Sequence, residues 1–164
     1  MRKKGFTLIE LLIVVSVIGI LSGLIISVIN PTKLRARARD SQRIADLKKI
    51  QTALELRFSD TRNYPTSASF ARVTTSLTSL SPGYYNGSLP VDPNGYTALY
   101  SCGGNYDYNY KTNAAGAIYV IVAKMETTSV DYETCNLVRN CKPAPDPNLG
   151  CNCSTLCHAV QNPF

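Results

Sequence analysis

Six cysteines, one histidine and an isolated glutamate are the side chains of this 164-residue sequence whose types and spacing invite chemistry. Cys102, Cys135, Cys141, Cys151, Cys153 and Cys157 all lie in the second half of the chain. An even set of thiols in a small, loop-rich region points to disulfides and to an oxidising compartment, and sequence alone does not choose among the pairings. Cys151 and Cys153 stand too close together for a mutual bridge to be the first choice. The rival is a metal site, because Cys151-Asn152-Cys153 and Cys157-His158 offer four ligands between them. No Cys-x2-Cys pair is present and the spacing matches no common zinc module, so disulfides are favoured and neither a metal nor another cofactor is expected. Asp92-Pro93-Asn94-Gly95 looks like the opening of a calcium loop, but an EF-hand frame puts Gly103 where a bidentate glutamate is required, which leaves a plain turn. Asn86-Gly87-Ser88 fits the glycosylation formula and nothing more. The only histidine, His158, has no nucleophile motif or phosphate-cradling loop near it, so catalysis is not expected.

Glu10 is the one ionisable side chain between Phe6 and Ile29. A helix over those residues is about 36 Å long, against about 30 Å for the hydrocarbon core of a bilayer, so a membrane span is expected. A carboxylate at the bilayer centre costs on the order of 2.5 to 3.5 kcal/mol, and less near an interface. Glu10 therefore needs either water at the headgroups or a partner. The run ends Val28-Ile29-Asn30-Pro31 rather than in small residues, which argues against removal by ordinary signal peptidase. Arg2, Lys3 and Lys4 precede it and Lys33, Arg35, Arg37, Arg39 and Arg43 follow it, so most of the formal charge of +6 flanks the span. Basic residues there are expected at lipid headgroups. Charge so placed is weak evidence for nucleic acid, which is therefore the weaker choice of partner. The Lys/Arg balance does not set the orientation of the span, whereas the cysteines favour a carboxyl-terminal domain outside the cytoplasm.

Lys3-Lys4-Gly5-Phe6-Thr7-Leu8-Ile9-Glu10, or KKGFTLIE, runs into LLIVVSVIGIL. This stretch resembles the class III leader of type IV prepilins and type II secretion pseudopilins. The resemblance implies cleavage by a prepilin peptidase after Gly5, methylation of the new amino terminus at Phe6, and retention of the apolar helix. It also implies that Glu10 pairs with the terminal amine of a neighbouring subunit, so that two groups costly in lipid offset one another and fix the axial register. The partners implied are other copies of the chain or related pilins, the peptidase, an inner-membrane assembly platform and, before assembly, the bilayer. The implied location is a single pass through the cytoplasmic membrane with the amino terminus inside, followed by an extracellular filament. Many relatives carry a proline where Ser27 stands; here the first is Pro31, so a kink or unwound stretch is expected between Gly19 and Pro31 or further out. Some pseudopilins of this architecture bind calcium. Ser16, Gly19, Ser22 and Gly23 would permit close helix contacts. Within the filament class a pilus subunit, a secretion pseudopilin and a DNA-uptake pilin stay open. A membrane-anchored extracellular binding module is the alternative from another class, and it has no use for the Gly5-Phe6 junction with Glu10.

The resemblance implies a leader at residues 1–5 and a membrane and filament-core helix at 6–30. Periodicity supplies the other elements, beginning with 31–62 as the amphipathic continuation of that helix. Residues 63–134 read as a β-rich head and 135–164 as a Cys/Pro-rich region. Ile44, Leu47, Ile50, Leu54 and Phe58 fall on one helical arc that should pack on a sheet, and Leu34, Ala38, Ala45 and Leu56 form a smaller opposite stripe suited to a subunit contact. The helix should end before Asn63-Tyr64-Pro65. Tyr106, Tyr108 and Tyr110 alternate with polar residues as a strand facing that helix, and Ala117 to Met125 reads as a second strand joined through Asn113-Ala114-Ala115-Gly116. The Pro-rich tail should form no long regular element and needs stapling. The expected class is α+β, pilin-like: a long amino-terminal helix, half membrane and half amphipathic, packed on a small antiparallel sheet with a cysteine-stapled carboxyl-terminal region.

Overall fold

The structure, a computed structural model, describes residues 5–95, 106–127, 135, 137–141, 149–151 and 156–163. It divides into two compact units, Met1–Arg35 and Ala36–Phe164.

In the first unit, helix α1 (Leu8–Val28) is apolar all round, with a mean hydropathy of 2.7 over Leu8–Ile25 and none of that stretch buried within the chain. A helix with no polar face has no inside and outside in water, and this one is long and apolar enough to cross a membrane. It runs unbroken past Gly19 and through the position of Ser27. The interruption comes at Ile29, which is extended (φ −84°, ψ 123°), and Asn30, whose Oδ1 accepts from the Lys33 amide at 3.2 Å. Pro31 then opens α2 (Pro31–Thr61). Its missing N–H costs nothing at a first helical position, so the break falls at the outer end of the expected interval.

In the second unit, α2 buries Leu47, Ile50, Ala53 and Leu54, with Phe58 packed against them and Ile44 only half-buried. Each fully buried aliphatic side chain contributes about 1.5 to 3 kcal/mol. Arg62, at φ 58°, reverses the chain after the last turn, and its amide donates to the Phe58 carbonyl at 2.8 Å, so α2 stops short of Asn63 as expected. Strands β1 (Ala71–Arg72), β2 (Tyr108–Thr112), β3 (Tyr119–Lys124) and β4 (Cys157–Gln161) form an antiparallel sheet in that order. Its register runs from Tyr108↔Ala123 to Thr112↔Tyr119 and from Val120↔Gln161 to Lys124↔Cys157. The β2–β3 connection is the expected hairpin. Gly116 takes φ 62° there and its carbonyl accepts from the Tyr64 amide at 2.9 Å, so close that a Cβ would sit 2.8 Å from the Tyr64 carbonyl oxygen.

Because side chains alternate along a strand, the sheet has two buried faces. Tyr108, Tyr110, Tyr119, Ile121 and Ala123 pack on α2. The phenol groups end on polar partners: Tyr108 donates to Asp46 Oδ2 at 3.1 Å, Tyr110 to the Pro65 carbonyl at 2.7 Å, and Tyr119 and Tyr64 to the two oxygens of Glu55 at 2.7 and 2.9 Å. Tyr108 and Tyr110 are thus core, whereas Tyr106, expected in the same row, precedes the strand, is half-buried and lies against Arg43 instead. On the opposite face Val120, Val122, Cys157 and Ala159 pack with Cys135, Val138, Cys141 and Leu149. The tail departs from expectation by contributing β4. Backbone pairing with β3 and burial on both sides make a strand of Cys157–Gln161 despite its modest local propensity.

Candidate functional site

Gly5 and Phe6 are exposed and precede α1, with Phe6 85% accessible. Thr7 is the N-cap (φ −80°, ψ 151°) and Glu10 the third helical residue, and together they form a reciprocal capping box. The Thr7 hydroxyl accepts from the Glu10 amide at 3.3 Å, while Glu10 Oε2 accepts from the Thr7 amide and from its hydroxyl, both at 2.8 Å. Both contacts fall on the same carboxylate oxygen. Oε1 accepts no hydrogen bond among the described residues, and an ionised carboxylate can accept several more. One end of the apolar helix thus presents an exposed acceptor within a few residues of the Gly5-Phe6 junction.

The cysteines in the described residues are paired: Cys135 with Cys157 (Cα–Cα 5.7 Å) and Cys141 with Cys151 (4.6 Å). Cys102 and Cys153 lie outside the described residues. The two bridges consume the thiolates of Cys151 and Cys157, half of the ligand set a zinc site would draw on, and His158 sits in β4, 5% exposed.

A second polar centre was invisible to the sequence reading. Arg39 and Arg43, expected at lipid headgroups with Lys33, Arg35 and Arg37, instead belong to an internal ion network. Arg43 is fully buried. Its Nε and Nη2 donate to Asp92 Oδ2 and Oδ1 at 2.7 and 2.9 Å, and its Nη1 donates to Asp40 Oδ1 at 2.7 Å and Glu126 Oε1 at 2.8 Å. Arg39 Nε reaches Glu126 Oε1 at 2.7 Å, and its Nη2 bonds Oε2. The turn at Asp92 has the expected form, with the Gly95 amide donating to the Asp92 carbonyl and the Asn94 amide to Asp92 Oδ1, both at 2.8 Å. It does more than turn, because its carboxylate anchors α2. Both Asp92 oxygens are committed to the arginine.

Burial opposes the charge on Arg43, and hydrogen bonds to Asp92, Glu126 and Asp40 outweigh it, so the guanidinium's pKa is raised. For Glu126 the hydrogen bond from Arg39 is the largest influence; burial opposes it, Arg43 reinforces it, and the carboxyl falls from 4.5 to about 2. A carboxyl whose folded pKa is depressed contributes stability that is complete above its unfolded value and lost as pH falls towards the folded one. The head should therefore keep its stability down to pH 4.5 and lose part of it between pH 4.5 and about 2. Urea titrations at stepped pH read this directly, and the step should be absent in Glu126→Gln.

Prokaryotic N-terminal methylation motif is the family description that matches, over residues 1–26. The chain is 44% identical over 63 residues to the type IV major pilin protein PilA of Myxococcus xanthus, covering 38% of this chain and 28% of that protein. It is 31% identical over 100 residues to type II secretion system core protein G of Klebsiella pneumoniae, covering 56% of this chain and 69% of the relative. Core protein G of Aeromonas hydrophila is 29% identical over 99 residues, with 56% and 68% covered. No solved structure gives a significant match. The methylation motif lies over α1, the similarity to core protein G spans most of that protein's length, and an apolar helix precedes a helix-on-sheet head: the chain belongs to the family of type IV pilins and type II secretion pseudopilins.

Proposed function

We propose that the chain is a prepilin, the structural, non-catalytic precursor of a subunit in a type IV pilus-like filament. Residues 1–5 are a leader removed after Gly5, Phe6 is then N-methylated, and residues 6–30 hold the subunit in the cytoplasmic membrane before they enter the filament core. The observation that carries this reading is the junction Gly5-Phe6 followed by a helix whose only acidic side chain, Glu10, keeps one oxygen available next to the amine that cleavage would create. The disulfides support a head outside the cytoplasm, with the leader inside and facing the peptidase. The second stripe supports contact with other subunits: Leu34 and Leu56 are 61% and 53% exposed, and Ala38 and Ala45 are open as well. The remainder divides into an amphipathic helix over 31–62, a β-rich head over 63–134 and a Cys/Pro-rich region over 135–164, which also supplies β4. An assembly platform and lipid are the remaining partners.

Mass spectrometry of the protein recovered from cells should find a chain starting at methylated Phe6. An intact Met1 would instead mark the apolar helix as a passive anchor for a binding module. A second reading, a pseudopilin of a secretion or DNA-uptake machine, draws support from the longer alignment to core protein G, 100 residues against 63 for the pilin. Electron microscopy of cells with and without the gene separates the two, because only a pilus subunit should take long surface fibres with it when it is lost.

A further inference from the structure

We infer that Asp40, Asp92 and Glu126 make a cation site whose permanent occupant is the guanidinium of Arg43, so that a side-chain cation and not a metal ion ties these three segments of the head together. This concerns the head alone and stands whichever machine the filament serves. The three carboxylates come from three parts of the chain: α2, the turn after Pro90, and the residue pair following β3. Every one of their oxygens already has a donor. Asp92 Oδ2 takes Arg43 Nε, and Oδ1 takes Arg43 Nη2 and the Asn94 amide. Asp40 Oδ1 takes Arg43 Nη1 and the Glu126 amide, while Oδ2 takes the Thr127 amide and hydroxyl at 2.8 and 2.7 Å. Glu126 Oε1 takes Arg43 Nη1, Arg39 Nε and the Asn94 side-chain amide at 3.0 Å, and Oε2 takes Arg39 Nη2.

Hard divalent cations need a shell of six or more oxygens whose lone pairs are free to turn inward. Here the lone pairs point at N–H groups, and among the described residues no group of acidic, histidine or cysteine side chains is arranged to hold a metal as it stands. Three negative charges nonetheless meet at one buried point, which is what a cation site supplies. The guanidinium suits it because its planar fork offers donors in fixed directions, two parallel ones for Asp92 and a third shared by Asp40 and Glu126. A side-chain cation is never diluted away, so occupancy does not depend on the medium around the filament. Arg43 also lies against the Tyr106 ring, with Cζ 4.8 Å from the centroid, which places a fluorophore beside the site.

The test uses the full-length chain in detergent micelles. For the wild type, adding calcium or a chelator should move the melting temperature by less than about 1 °C, since a ligand that does not bind shifts nothing. Arg43→Gln removes the charge and leaves three carboxylates facing one another, and it should melt about 10 °C lower or more. Calcium should restore about 5 °C or more of that loss, saturably. Terbium should give tyrosine-sensitised luminescence with Arg43→Gln, through Tyr106, and none above background with the wild type. A wild-type head that loses several degrees in chelator and regains them with calcium would overturn the inference, as would a folded Arg43→Gln variant that ignores both calcium and terbium. If that variant does not fold, the chelator and terbium measurements on the wild type decide.

Discussion

Replacing Glu10 by glutamine should abolish fibre formation as completely as replacing it by valine, while cleavage after Gly5 continues. The pair of variants separates two roles that the geometry gives to one side chain. Glu10 closes a capping box on its own helix through Thr7, and glutamine serves in capping boxes as well as glutamate does. If capping were its whole purpose, Glu10→Gln would assemble and only Glu10→Val would fail. The proposed pairing needs charge: leaving the amine of a neighbouring subunit buried and unpaired costs about 3 to 5 kcal/mol, on the order of a hundredfold to several-thousandfold per contact, and glutamine does not relieve it. The capping contacts do not compete with that pairing, because both fall on Oε2. The measurement is the ratio of processed subunit in sheared fibres to that in membranes. Assembly of Glu10→Gln at wild-type yield would reduce Glu10 to a helix cap.

Patterning told most where one physical requirement dominates. α1 is legible because lipid demands an apolar surface on every side, and the inner stripe of α2 because Leu47, Ile50 and Leu54 recur at the helical repeat. Tyr108 and Tyr110 gave away β2 through the period of two. β1 was not legible: two residues, Ala71 and Arg72, in a Ser/Thr-rich stretch carry no pattern, and only pairing with Asn109 and Tyr110 makes them a strand. β4 was hidden for a different reason: Cys157, His158 and Ala159 are all buried, so a strand covered on both faces shows no clear apolar–polar alternation.

The ion network was missed because charge near an apolar run reads as headgroup contact. A signal was present: Arg43, Leu47, Ile50 and Leu54 follow the spacing of a single helix face, so Arg43 had to be either exposed at the rim of the core or buried with partners. Asp40, one turn earlier on the same helix, was half of the answer. The other half, Asp92 and Glu126, comes from distant segments that no local pattern links to α2. The roles proposed for Gly5, Phe6 and Glu10 depend on order along the chain rather than on folding, so contiguous residues suffice to suggest them. The one addition is Thr7, whose hydroxyl fixes where the Glu10 carboxylate lies.

The outer face of the sheet should depend on covalent closure more than on any contact the tail makes. Cys157 opens β4 and Cys135 lies on the covering layer, so their bond fastens that layer directly onto the sheet over Val120 and Val122. Besides this, the described parts of the cover hold to the sheet by few hydrogen bonds: Asn140 Nδ2 to the Tyr119 carbonyl and to Asn162 Oδ1, each at 2.8 Å, the Asn140 amide to Gln161 Oε1 at 2.9 Å, and Lys111 Nζ to the Leu149 carbonyl at 2.7 Å. A bridge across a separation of 22 residues removes about 3 kcal/mol of loop entropy from the unfolded chain. The nested bridge between Cys141 and Cys151, across 10, removes somewhat less. The double variant Cys135→Ser, Cys157→Ser should therefore melt about 10 °C or more below the wild type. It should also bind a hydrophobic dye below its melting point, because releasing the cover uncovers the valines while α2 still shields the tyrosine face. Cys141→Ser with Cys151→Ser should lose less and bind no dye, since the outer bridge keeps the layer in place. Equal losses from the two pairs, or a melting point within about 2 °C of the wild type for the first, would show that packing alone holds the cover on.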